Sequence, residues 1–279
     1  MTYILLCILC STSILVIFKL ADRFGASTRH IIVVGYLVSA SVSVAIFSVS
    51  FQDFYTRWFI VALFEGVAFY AVFRLMAISA ETSGISVTSV ASKMSVIIPV
   101  TIGIVVLGES INTLVILGIL SGLVAVWLTV GNGIKLQGWS WPLLVFIGAG
   151  LVDASFKLFQ VNGLTEADFP VFLTTTFAFA FIVGLFHHMT YENKAINRRS
   201  ILAGVVLGLV NLGSAYFLLL ALAVPRFESI FVYSLTNFGV VVAAVLVAIV
   251  IFREHVTAKG WVGLALAAGS IALLYKGYV

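Results

Sequence analysis

Three ionisable side chains lie deep inside apolar runs of this 279-residue chain: Glu65, Lys93 and Asp153. A charge at the centre of a lipid-spanning helix costs at least about 2.5–3.5 kcal/mol, so such residues usually face a cavity or partner and mark solute or proton paths. Glu65 and Lys93 each stand nine residues into their runs. At 1.5 Å per residue that is about 13 Å, which brings both near the midplane from opposite faces, where they could pair. Asp153 lies about 20 Å beyond Trp139, past the midplane. It precedes Lys157 by four residues, the acid-first order that favours a pair on one helical face. These groups suit solute binding, and a proton-coupled carrier needs a carboxylate that responds to substrate or to the side exposed. Glu65 and Asp153 are the deep carboxylates available for that work. The competing readings are an ion pair between Glu65 and Lys93 that only fixes packing, a salt bridge that only holds the Asp153 segment, and a side chain that snorkels to the interface.

A second tier of polar residues surrounds these. Asn211 and Asn237 are amides within apolar runs, able to bind solute or to bond across helices for about 0.6 kcal/mol. Tyr70, Tyr216 and Tyr233 either line a cavity or pack. Arg74 and Arg226 could meet an anionic solute or a lipid headgroup. Glu109 and Glu254 end their runs, where a carboxylate favours the positive end of a helix, and each is expected to cap the helix that follows it. His187 and His188 stand at a run's end without further ligands. Cys7 and Cys10 have CxxC spacing in the apolar first segment, with no His or further Cys nearby, and read as small helix-facing residues. No HExxH, GxSxG, acidic metal cluster or ATP-binding loop occurs, so no enzyme and no cofactor is expected, and any pumping must draw on a gradient.

The elements that must position these residues are apolar helices. Hydrophobic residues make up 62% of the chain and charged residues 9%, with a mean hydropathy of +1.20. Soluble domains carry about 25% charged residues, so lipid must clothe this surface. Runs of about 20 apolar residues cross a bilayer. They predict ten spans at 2–19, 29–50, 56–78, 84–107, 111–130, 139–158, 168–189, 200–222, 227–252 and 257–275. The first has no basic n-region or cleavage site and reads as a retained span. Pro99 predicts a kink in span four. Trp58, Trp139, Trp141 and Trp261 fall near span ends, as interfacial aromatics do. Gly118 and Gly122 form a small-xxx-small patch on span five. No basic run reads as a nucleic-acid tract, and nothing fixes an oligomeric state.

Two offsets divide the chain. Gly108-Glu109 with Gly118 repeats as Arg253-Glu254 with Gly263, 145 residues later, and Asn237 falls opposite Ser92 at that offset. FKLADRFG (18–25) repeats as FKLFQVNG (156–163), 138 residues later. Residues 1–134 and 135–279 thus form two five-helix repeats, and an odd number of spans inverts the second relative to the first. The segment SVTSVASKMSVIIPVTIGIVVLGESINTLVILGIL, its counterpart from Glu228, GAGLVDASFKLFQ and LGLVNLGSAYFLLLAL resemble the drug/metabolite transporter superfamily, EamA-like branch. The resemblance covers the whole chain. It implies ten helices as five plus five, helices one to four and six to nine around a central cavity, a multi-pass protein of the bacterial inner membrane, and cytoplasmic termini.

Loop charges point the other way. Ten Lys and Arg residues flank the ends opposite the termini (19, 23, 29, 74, 135, 194, 198, 199, 253, 259), against four on the terminal side (57, 157, 226, 276). The positive-inside rule then favours both termini outside. The leading functional expectation is a secondary transporter or exporter of a small metabolite, an amino acid or similar solute, by alternating access with optional proton coupling. Its rival is a flippase for an anionic lipid-linked carrier, using Arg74, Lys93 and Arg226.

Overall fold

The computed structural model describes residues 1–49, 58–83, 85–130, 140–191, 196–253 and 258–278. Glu254, Trp139, Arg57, Lys135 and Lys194 lie outside these. Among the described residues there are helices and no strands. The helices are α1 (Thr2–Arg23), α2 (Thr28–Phe47), α3 (Trp58–Ser83), α4 (Ile85–Met94), α5 (Ile97–Val105), α6 (Thr113–Val130), α7 (Ser140–Val161), α8 (Phe169–Tyr191), α9 (Arg198–Ala223), α10 (Ser229–Val250) and α11 (Ala258–Tyr278). Eight of them are long and apolar enough to cross a membrane: α1, α2, α3, α7, α8, α9, α10 and α11. Two shorter apolar helical stretches, Val90–Val105 and Thr113–Leu128, lie between α3 and α7. The chain is therefore a multi-pass helical membrane protein. Neighbours on α3 show the lipid logic: Phe64 is 68% exposed, while Glu65 is 5% exposed.

The fourth expected span is two helices. Proline lacks an N–H, and its ring crowds the carbonyl four residues back, here Ser95. The Ser95 carbonyl instead accepts from Ile98 N–H at 2.9 Å, and the Ser95 hydroxyl bonds Ser92 O at 2.6 Å. The kink expected at Pro99 is thus a full break at Ser95–Val96. Gly150 of α7 seats it, for a Cβ there would lie 2.8 Å from Ser95 O.

Helix ends match at the two sequence offsets. Gly25 (φ 63°) and Gly163 (φ 99°) both turn left-handed past α1 and α7. Ala26 N–H bonds Ala21 O, and Leu164 N–H bonds Phe159 O, the same six-residue closure. Gly108 (φ 65°) and Arg253 (φ 53°) likewise follow α5 and α10. Leu107 N–H bonds Ile102 O as Phe252 N–H bonds Val247 O. Packing partners correspond too: α1 lies on α9 as α7 lies on α3, and α2 on α9 as α8 on α3. Helix α1 also meets α10, as α7 meets α4 and α5.

Helices α6 and α11 pack on one another. A Cβ on Gly118 would sit 2.9 Å from Leu274, and Ser270 donates to Gly118 O at 2.6 Å. Gly122 faces Phe238 of α10 instead, and Gly263 is buried in α11. The central core is aromatic, with Tyr36, Phe69, Phe156, Phe172 and Phe177 interlocked across α2, α3, α7 and α8.

Candidate functional site: a polar centre among α1, α3, α4, α7 and α10

Glu65 is buried on α3, and its Oε1 accepts from the Ser155 hydroxyl of α7 at 2.9 Å. That hydroxyl also lies 2.7 Å from Val152 O. A serine has one proton for these two acceptors, so the carboxylate and the carbonyl compete for it. Asp153 shares this stretch of α7 and bears electrostatically on Glu65.

Lys93 occupies the last turn of α4, immediately before the break. A cation there faces the negative end of the half-helix. The acidic side chain acting on it is Asp153, and both feel Cys7 of α1 or act on it. Among the described residues no hydrogen bond or ion pair joins Glu65 to Lys93: Glu65 engages Ser155, and Asp153 is the acid whose charge bears on Lys93.

The expected Asp153–Lys157 pair is replaced as well. Lys157 Nζ donates to Leu222 O at 3.4 Å, and Gln160 donates to Leu219 O at 2.8 Å. Both satisfy carbonyls of the last turns of α9, where a cation complements the helix dipole. Tyr233 of α10 does reach the centre, its hydroxyl donating to the Asp153 backbone carbonyl. Asn237 is buried one turn on and bonds Tyr233 O at 3.1 Å. Asn211 is buried in α9.

Tyr70 and Arg74 lie apart. Tyr70 packs against His187, with ring centroids 6.0 Å apart, and against Gly184 of α8. Arg74 is half-buried one turn further along α3, and its Nη1 has no hydrogen-bond partner among the described residues. His30 and His188 meet edge to face at 5.0 Å nearby on α2 and α8. Tyr216 packs on Phe47.

Glu109 does not cap the helix that follows it. Asn112 does so, its Oδ1 accepting from Val115 N–H at 3.0 Å. Glu109 instead accepts from Ser229 N–H (2.9 Å), Ser229 Oγ (2.8 Å) and Ile230 N–H (3.0 Å) at the start of α10. The carboxylate thus satisfies orphan donors of a helix distant in sequence.

Sequence reasoning missed the α1–α9 side of this centre. Cys7 Sγ donates to Ser214 O at 3.4 Å, and Ser11 Oγ lies 2.7 Å from Ser214 Oγ. The available signal was Cys7 and Ser11 at i,i+4 on one face of an otherwise apolar helix. Among the described residues, no group of three His, Cys, Asp or Glu could hold a metal ion.

No family model matches the chain. It is 22% identical over 281 residues to a Haemophilus influenzae protein described as uncharacterised, covering 96% of this chain and 95% of that one. A crystal structure of another protein superposes with a TM-score of 0.78 at 14% identity, covering 98% of this chain and 94% of that one. That likeness speaks to the fold.

Proposed function

We propose that this chain is a secondary transporter that moves a small polar or amphipathic metabolite, an amino acid or similar solute, by alternating access. The observation that carries the reading is the polar centre itself: Lys93 at a helix break, within electrostatic reach of Asp153, whose charge also bears on Glu65 held by Ser155. Broken helices whose half-helix ends point at a midplane site are a device of secondary transporters. Oppositely charged groups at one depth suit a solute that carries an amine and an acid. Glu65 and Asp153 are the candidates for proton coupling.

We read the architecture as ten crossings in two inverted five-helix repeats, α1–α6 and α7–α11, with α4 and α5 together making one span. The matched left-handed turns, the matched closing hydrogen bonds and the exchange of packing partners between halves support that reading. On it the chain belongs with the EamA-like drug/metabolite transporters in a bacterial inner membrane, with both termini on one side. Loop charge favours that side being outside. Thiol-reagent accessibility of cysteines placed at positions 2 and 278 decides the side. The function is tested with purified protein in liposomes against a panel of amino acids and nucleobases, under imposed pH and voltage gradients. Movement of at least one solute, lost in Lys93→Met and Asp153→Asn, is expected. No movement of any solute would count against the reading.

A further inference from the structure

A second set of polar contacts lies away from the centre, between the α5–α6 corner and the start of α10. Two Glu-Ser pairs face one another there. Glu109 takes three hydrogen bonds from Ser229 and Ile230. Glu228 Oε1 in return accepts from Ser110 N–H at 3.3 Å and Ser110 Oγ at 2.8 Å. Each glutamate bonds the serine that follows the other glutamate. The contact joins residues about 120 positions apart and bridges the two halves of the chain.

We propose that this reciprocal pair is a releasable latch, and that α5 is the arm it holds. The arm is nine residues long, from Ile97 to Val105. Its inner end is the break at Ser95–Val96, where Pro99 has already removed a backbone hydrogen bond, so the arm can swing without tearing a helical ladder. Its outer end is fixed by Gly108, whose left-handed φ of 65° folds Glu109 back so that its N–H meets Gly103 O at 3.0 Å. Gly103 is also what admits the latch, since a Cβ there would lie 2.7 Å from Glu109 Oε2 and 3.1 Å from Ser229 Oγ.

The latch bonds are exposed or half-buried, unlike the buried Ser270–Gly118 bond that ties α6 to α11. Water can replace each latch bond as it opens, whereas a bond buried between helices, such as Ser270–Gly118, has no water at hand to replace it. The α6–α11 pair is accordingly the fixed element and α5 the moving one. The other end of the molecule is bridged by different chemistry: Ser27 N–H to Ser200 Oγ at 3.0 Å, Arg199 to Phe24 O at 3.0 Å, and Lys19 over the Phe252 ring at 4.5 Å. The Glu-Ser pair therefore governs one end alone, the end that carries both termini. Its motion does not depend on the transport reading, although its purpose does.

The test places nitroxide labels at Val106 and Arg226, which flank the latch without belonging to it, in a Cys7→Ser, Cys10→Ala chain in lipid nanodiscs. Pulsed and continuous-wave spin-resonance distances are then measured. The intact latch should give one narrow distribution. Glu109→Ala with Glu228→Ala should add a second population, longer by about 5 Å or more, the scale of a one-turn shift. Ser110→Ala with Ser229→Ala keeps both carboxylates, guards against a misfolded glutamate variant, and should add a smaller share of the same population. A single unchanged distribution in folded Ser110→Ala/Ser229→Ala and Glu109→Ala/Glu228→Ala protein would overturn the latch. Should the serine variant alone fold, its unchanged distribution is sufficient to do so. Distances that lengthen in protein that moves no solute would leave the latch standing and remove the transport reading.

Discussion

Breaking the Lys93–Asp153 interaction from either side should cost more than removing both groups together. Lys93→Met leaves Asp153 facing no cation, and Asp153→Asn leaves Lys93 at a helix end without its counter-charge. Removing one partner of a fully buried charge pair costs about 3–5 kcal/mol, while replacing both with neutral groups of similar volume is near neutral. Both residues are half-buried, so screening reduces the single losses to about 2 kcal/mol each. At about 2–4 °C per kcal/mol, each single variant should melt about 4–8 °C lower than wild type. The double variant should recover to within about 2 °C of wild type. Thermal stability of detergent-solubilised protein, read by the monodisperse fraction after heating, measures this directly. A double variant that melts as low as the two losses added would show that the charges do not interact, and the centre would lose its organising pair.

Glu65→Gln keeps an acceptor for the Ser155 hydroxyl, so its melting temperature should stay within about 2 °C of wild type, whereas solute-driven proton movement in liposomes should vanish. Retained proton movement would take Glu65 out of the coupling role. Glu109→Ala strips three donors at the start of α10 of their acceptor and should lower stability by about 2–3 kcal/mol, seen as a fall of several degrees in the same melting assay. Gly118→Val would push a Cβ against Leu274 and disturb the Ser270 bond, costing about 1–3 kcal/mol. Gly269→Val, on the same helix pair with open space at its Cβ, is the control that should melt near wild type. Gly150→Ala puts a methyl group 2.6 Å from Ile98 Cδ1 and 2.8 Å from Ser95 O, and should slow solute movement more than it lowers melting temperature.

Helix positions were legible because they depend on a one-dimensional quantity, the length of an apolar run. The observed bounds of α2, α7, α8 and α10 fall within a few residues of the expected ones. The matched helix ends were legible for a related reason: Gly25, Gly163, Gly108 and Arg253 turn left-handed past helix ends, and a stop is a local event written in a few residues. Pairing was not legible. Depth along a span placed Glu65 and Lys93 at one level, but depth leaves the azimuth of each helix free. The azimuth was set by glycines that allow close approach, Gly66 against Thr176 and Phe179, and Gly150 against Ile98. Nor could the sequence say that Asn112 would cap α6, which freed Glu109 for a helix far along the chain. Ser11 escaped notice, and Cys7 read only as a small helix-facing residue, because small polar residues are ordinary in such helices and only the position of Ser214 gives them meaning.

The broken fourth span joins the two polar sets of the molecule. Lys93 stands in the last turn of α4 on one side of the break, and four residues later α5 begins the arm that leads to Glu109. A solute held between Lys93 and Asp153 would press α4 away from α7, since those residues stand on facing helices. A continuous span would spread that displacement along its whole ladder. Here the ladder is interrupted, Ser95 bonds backward to Ser92 and Ala91, and Val96 begins a fresh set of bonds with Val100. The displacement then acts as a lever on α5, which rests on α7 and α10 and is held at its tip by bonds that water can replace. Proline in this span therefore separates the element that feels charge from the element that opens, while leaving them one covalent piece.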